Sequence, residues 1–215
     1  MKKHIWLSIL MFSAISTATQ AADVTANIGW NSEYIFRGIP QDDSSPFAGL
    51  DVEHRGFYAG TWAADVGNGL EVDFYGGYGS DFEDFSYAVG FTSYTYTNDF
   101  DDDYLELNLS GGYKIFTLDI AIGQYDNFNG PTLDYTFFSG TVEYSGFYGT
   151  IGIFSQDFDG EFYEAGYGNT LTVADTDLVD YKFSVIHSTE DLLRRDEDDT
   201  SFVLSISKTF AVFSN

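Results

Sequence analysis

The sequence predicts an all-β protein: a transmembrane, antiparallel, up-and-down β-barrel of about twelve strands, with both termini on the periplasmic side. Three observations predict it. Apolar residues recur at every second position through most of the chain. The alternating runs are mostly about 8 to 11 residues long, which suits a tilted strand crossing a bilayer. Long and short connections between the runs take turns, as in barrels with tight turns on one side of a membrane and loops on the other.

Residues 1–21 read as a signal peptide, which leaves 22–215 as the outer-membrane barrel domain. Lys2, Lys3 and His4 form a basic start, Ile5 to Ile15 is apolar, and Ser16 to Ala21 is small and polar. Cleavage is expected after Ala21, with Ala18 as the second candidate. The segment is too short to cross a bilayer as a helix. Its removal takes away Lys2 and Lys3 and moves the formal charge from −25 to −27. A chain so acidic repels phosphate backbones, so nucleic acid is excluded as a partner. The absence of cysteine excludes disulfides and thiolate chemistry. Strong acidity often accompanies disorder, but 16 tyrosines and 21 phenylalanines supply ample material for a packed β structure.

The strands are expected, in order, near 24–36, 46–53, 57–65, 70–78, 85–94, 104–111, 113–124, 132–144, 147–156, 165–173, 178–188 and 200–213. The clearest are "LEVDFYGGY" from Leu70, "YLELNLSG" from Tyr104, "KIFTLDIAIG" from Lys114, and the alternation from Val179 to Val185. The connection after the first strand, "GIPQDDSS", reads as long, and "HRG" after the second as short. "VGNG", "TYTNDFDDD", "QYDNFNGP", "DFDGEF" and "STEDLLRRDEDD" read as loops on the first side. "GG", "SG" and "ADTD" read as tight turns on the other, with "SDFED" of intermediate length. Pro40, Pro46 and Pro131 fall in or beside the long connections, where they interrupt no ladder.

Mid-strand polar residues lie opposite the apolar face. In a membrane barrel that face is the wet interior. Glu71, Asp73, Glu106, Asp119, Asp134, Glu143, Asp180 and Lys182 are therefore the pore-lining candidates. Tyr34, Phe36, Phe57, Tyr58, Tyr94, Tyr96, Tyr125, Phe210 and Phe213 lie near strand ends, where aromatic girdles meet the membrane boundary.

The stretches "SEYIFRGIPQ", "PFAGLDVEHRGFYAGTWAADV" and "EVDFYGGY" together resemble the N-terminal signature of the TorF family of porins, also called the Gcw_chp family. The matching residues are Ser32, Tyr34, Phe36, Arg37, Gly38, Gln41, Pro46, Gly49, Gly56, Tyr58, Gly60, Trp62, Glu71, Asp73, Gly77 and Tyr78. "SKTF" at 207–210 matches the usual ending. Pro40 departs from the pattern, and so do Ala64 and Asp65. The resemblance implies an outer-membrane barrel and a pore. It places Arg37, Gly38, Gln41, Tyr58 and Trp62 at the mouth, where Arg37 is expected to pair with Asp42, Asp43 or Glu71.

No enzyme activity and no cofactor are expected. After the signal peptide the chain has only His54 and His187, with no triad motif around either. "DFDDD" and "DFDGE" lack the full spacing of a calcium loop. The expected partners are outer-membrane lipids, lipopolysaccharide and small solutes, with divalent cations able to bridge the acidic loops to anionic headgroups. Two functions compete: a passive channel for small cationic or neutral solutes, and a closed barrel with a structural or surface-binding role.

Overall fold

The computed structural model describes residues 22–213; the expected signal peptide at 1–21 lies outside them. Twelve antiparallel strands run in sequence order: β1 (Asp23–Phe36), β2 (Ile39–His54), β3 (Phe57–Asp65), β4 (Leu70–Phe82), β5 (Phe85–Tyr96), β6 (Tyr104–Tyr113), β7 (Phe116–Tyr125), β8 (Leu133–Tyr144), β9 (Phe147–Gln156), β10 (Glu161–Val173), β11 (Thr176–Ser188) and β12 (Asp199–Phe213). Each pairs with its neighbours in the chain. β1 and β12 join in a ladder from Val24↔Phe213 to Asn31↔Ser205, which closes the barrel.

The two ends of the barrel differ. After each even-numbered strand through β10 comes a two-residue turn, at 55–56, 83–84, 114–115, 145–146 and 174–175. Arg55, Glu83, Lys114, Ser145 and Ala174, the first residues of these turns, all have positive φ. Turns of this hand match the twist of the strands they join. At the other end most connections are longer, at 66–69, 97–103, 126–132, 157–160 and 189–198. The last of them carries a short helix, α1 (Glu190–Leu193).

Two connections are shorter than the sequence suggests. "SDFED" reduces to the turn Glu83–Asp84, because β4 runs on to Phe82. "GIPQDDSS" is no loop at all. β1 and β2 meet at Arg37–Gly38, and β2 starts at Ile39. Pro40 does not stop the pairing, because it lies opposite Ile35 in the ladder. β2 tolerates Pro40 and Pro46 because its ladder to β3 begins only at Phe47↔Ala64. Before that point its far side is a free edge, where a missing N–H costs no bond.

The strands keep their two faces distinct. Phe74, Val89, Phe91, Leu105, Leu107, Leu109, Leu118, Ile122, Phe138, Ile151, Ile153, Phe183 and Val185 are exposed on the outer wall. Near the turn end the same wall carries paired rings: exposed Phe57 against half-buried Tyr78, Phe85 against Tyr113, both exposed, and exposed Phe147 against half-buried Tyr167. Most of the buried residues lie inside. Tyr34 and Tyr94, expected in a girdle, are buried within the barrel. Phe36 also packs inside, against Tyr94.

Candidate functional site

The interior is organised by the β1–β2 hairpin. The ladder between β1 and β12 ends at Asn31↔Ser205, while β1 and β2 stay paired up to Phe36↔Ile39. Residues 32–46 therefore have no strand partner but each other, and they leave the wall. Ser32 Oγ accepts the Leu204 N–H at the point of departure. Ser44, across the hairpin, has φ +64° and takes the Trp30 indole N–H on its hydroxyl.

The tip crosses the lumen. Ser188 Oγ, at the end of β11, donates to the Gly38 carbonyl at 2.6 Å. Gly38 has φ +82°, and a Cβ there would lie 2.6 Å from Phe162 Cβ and 2.8 Å from Leu192 Cδ2. Glycine answers both demands, a left-handed backbone and a close seat.

Arg37 reaches further still, to β6. Its Nη1 and Nη2 donate to Glu106 Oε1 and Oε2 at 2.5 and 3.0 Å. The guanidinium lies 4.7 Å from the Phe36 ring centre and 4.4 Å from that of Phe137. Glu106 also accepts from Tyr94 (3.1 Å), Tyr135 (2.7 Å) and Asn108 (2.8 Å). A paired, forked, ring-sandwiched arginine is the arrangement in which a buried ion pair holds its geometry best. The expected partners Asp42, Asp43 and Glu71 are not used. Glu71 Oε1 takes the Tyr34 hydroxyl at 2.5 Å instead.

Around this tie the upper lumen is filled with rings. Tyr135, Phe137, Phe154 and Phe162 form a buried cluster with Ala121, Ile186, Leu192 and Val203. A second group joins Tyr34, Ala64 and Val66 to Phe36, Phe47, Trp62 and Phe100. Further down, rings lie over glycines of adjacent strands. A Cβ on Gly90 would collide with the Tyr58 hydroxyl, and one on Gly77, its cross-strand partner, would lie 2.5 Å from the same atom. Tyr135 covers Gly123 and Tyr148 covers Gly166 in the same way. The glycines leave the slots that let large rings lie flat against the inner wall.

Most of the charged candidates face inward. Glu71, Asp73 and Glu106 are buried near the hairpin. Asp180 takes the Thr170 hydroxyl at 2.6 Å, and Ser139 Oγ lies 3.5 Å from Asp119. Glu143 shares the parity of buried Tyr135 and Phe137 but lies towards the turn end. Lys182 pairs with Glu164 at 3.2 Å beside the Tyr148 ring. Glu164 is a site residue that the sequence does not reveal, because it lies just before the strand start expected at 165.

Two placements are corrected. Asp134 shares the parity of exposed Phe138 and Val142, and it bonds Gln124 outside the lumen. The bulky and β-branched run Tyr135–Phe138 hides which residues alternate there. Tyr58 lies one residue past the start of β3, beside the β2–β3 turn and at the end opposite the mouth. Gln41 stands three residues past Gly38, near the hairpin tip, and donates to the Ile39 carbonyl within its own strand. Trp62 does stand below the hairpin, against Tyr34 and Phe47.

His187 bonds Thr200 and lies 3.5 Å from Asp198, exposed and away from the lumen. The acidic loops satisfy themselves locally: Asp101 takes the Tyr104 and Tyr125 hydroxyls, and Asp157 the Asp134 N–H. Among the described residues no group of three or more acidic or histidine side chains is placed to hold a metal ion.

One solved structure shares this fold, and others are similar at lower scores. A structure solved in work on the in-meso crystallization of membrane proteins has a TM-score of 0.58 and 9% identity, covering 90% of this chain and 85% of that one. Pseudomonas aeruginosa OccK2 (OpdF), solved with glucuronate, has a TM-score of 0.41 and 13% identity over 86% of this chain and 61% of its own. Acinetobacter baumannii OccAB4 has a TM-score of 0.44 and 10% identity over 83% of this chain and 56% of its own. The chain thus spans about three fifths of the length of these two proteins. No curated protein matches the sequence. A family model described as a bacterial protein of unknown function (Gcw_chp) matches residues 15–144, and the chain belongs to that family.

Proposed function

We propose that the protein is an outer-membrane channel for small cationic or neutral solutes, closed at rest by the β1–β2 hairpin. The exposed apolar wall and the outward rings near the turn end suit a barrel set in hydrocarbon. The two-residue turns then face the periplasm together with both termini, and the longer connections face outward. The signal peptide and the TorF resemblance point to the same compartment, and the resemblance also points to a pore.

The observation that carries the reading is the asymmetry of charge in the lumen. Among the described residues Glu71, Asp73, Asp119, Glu143 and Asp180 face inward without a basic partner in an ion pair, whereas Arg37 and Lys182 are each tied to a carboxylate. Fixed charge of one sign along a low-dielectric wall concentrates ions of the other sign. The hairpin is what lies across that path.

Planar-bilayer recording tests the proposal. The mature protein is expected to open rarely, and Arg37→Ala and Glu106→Gln to open more often. Reversal potentials in a potassium chloride gradient should show cation preference. Anion preference would reject the selectivity. Silence from both variants, refolded and inserted, would favour the closed barrel, a reading that the ring-filled upper lumen also supports.

A further inference from the structure

Glu71 and Asp73 stand two residues apart on one face of β4, and both are 0% exposed. Tyr34 serves Glu71 Oε1, but among the described residues Glu71 Oε2 and both Asp73 oxygens have no hydrogen-bond partner. Apart from the Tyr96 hydroxyl beside Glu71, nothing among the described residues meets these three buried carboxylate oxygens, which lie in one small region. Residues so spaced on a strand have side chains roughly 6 to 7 Å apart at their roots, close enough to share one ion.

An isolated buried carboxylate is strongly disfavoured unless something neutralises it. The cations in the lumen are committed elsewhere. Arg37 gives both terminal nitrogens to Glu106, and Lys182 goes to Glu164. Asp73 faces Trp62 and Tyr94 across its two ladders, and neither carries a positive charge. No cationic side chain is left to balance them, so a bound cation or a retained proton must do so.

We propose that Glu71 and Asp73 bind a hard divalent cation, Mg²⁺ or Ca²⁺, inside the barrel beside the closing hairpin. Two carboxylates balance two charges, and their oxygens are the ligands such ions prefer. Mg²⁺ in particular is commonly held by one or two carboxylates while it keeps several waters. Through Tyr34, which lies on the hairpin and bonds Glu71, an ion here steadies the closed arrangement. The site does not depend on whether the lumen conducts.

The test uses the mature protein refolded in detergent micelles and stripped with EDTA. Magnesium or calcium chloride, added at ionic strength held constant with sodium chloride, should raise the unfolding temperature saturably. Titration calorimetry should find one ion per chain. Asp73→Asn should abolish both effects, with Glu71→Gln as the second variant should the first not refold. Asp196→Asn, in the exposed 189–198 loop, should keep both. A shift that is equal in all three variants reports non-specific screening and overturns the site. So does a wild type indifferent to EDTA and to added ion, because the two acids would then hold protons in place of a metal.

Discussion

Arg37, at the tip of the first hairpin, bonds both oxygens of Glu106, a residue 69 positions away on β6. In the closed order of strands β6 lies across the barrel from β1. The tie thus spans the lumen and fixes the hairpin at both its flanks, since Ser188 holds Gly38 from the β11 side.

Breaking that tie on one side strands a buried charge. Arg37→Ala is expected to destabilise the barrel by about 3–5 kcal/mol, the usual effect of orphaning one member of a buried pair. Arg37→Ala combined with Glu106→Ala should cost much less than the sum of the single changes. Urea unfolding in micelles measures the cycle. Additive effects would mean that the pair contributes nothing to holding the hairpin.

Gly38→Ala probes the seat of the same hairpin without touching charge. The left-handed backbone alone disfavours alanine by about 1–2 kcal/mol. The clash with Phe162 and Leu192 adds to it. The expected outcome is a lower unfolding temperature together with faster proteolysis between Ser32 and Ser45. Unchanged proteolysis would show that the tip is not seated as described.

Two glycines on the sheet should respond in opposite directions. At Gly90 a methyl group meets the Tyr58 hydroxyl head-on and comes within 2.8 Å of the Gly76 carbonyl oxygen. Gly90→Ala should therefore destabilise by about 1–3 kcal/mol, as overpacking does. At Gly111 a methyl group would have nothing within 4 Å. Gly111→Ala should be neutral or stabilise by about 0.5–1 kcal/mol, since strand glycine carries an entropic penalty. Parallel equilibrium unfolding of the two variants decides it.

The assignment of faces has its own test on β6. Leu107 is 47% exposed on the outer wall, while Ser110 lies opposite Asp119 on the inner one. Leu107→Arg should cost about 2–4 kcal/mol if it lies near mid-bilayer. Ser110→Arg should cost little, because it enters a polar space beside a carboxylate. Folding yields into lipid vesicles, measured by heat-modifiable mobility on gels, should rank them in that order.

Most of the strands are legible in the sequence because they keep period two for long enough to fix their parity. β3 and β9 fall at 57–65 and 147–156, the bounds that alternation predicts. The hairpin is not legible. Gln41, Asp42, Asp43, Ser44 and Ser45 are polar in succession, Pro40 precedes them, and no local pattern marks such a run as a strand. Glu106 can be recognised as inward-facing, but its partner cannot, because a bond across a lumen leaves no trace in sequence spacing. Asp134 fails for the opposite reason. Tyr135, Thr136, Phe137 and Phe138 supply bulky or β-branched residues on both faces, so alternation there does not choose a side.

The ladder that closes the barrel joins the first strand to the last, whereas every other ladder joins strands adjacent in the chain. Adjacent strands form contacts of short sequence separation, and such contacts assemble early. The ties from Arg37 to Glu106 and from Ser188 to Gly38 span 69 and 150 positions and need a sheet already curled into a ring. They are expected to form last in assembly. A chain arrested before β1 meets β12 would keep most of its hairpins while leaving Glu106 without its cation, and its interior would still be wet where the finished molecule holds the hairpin tip.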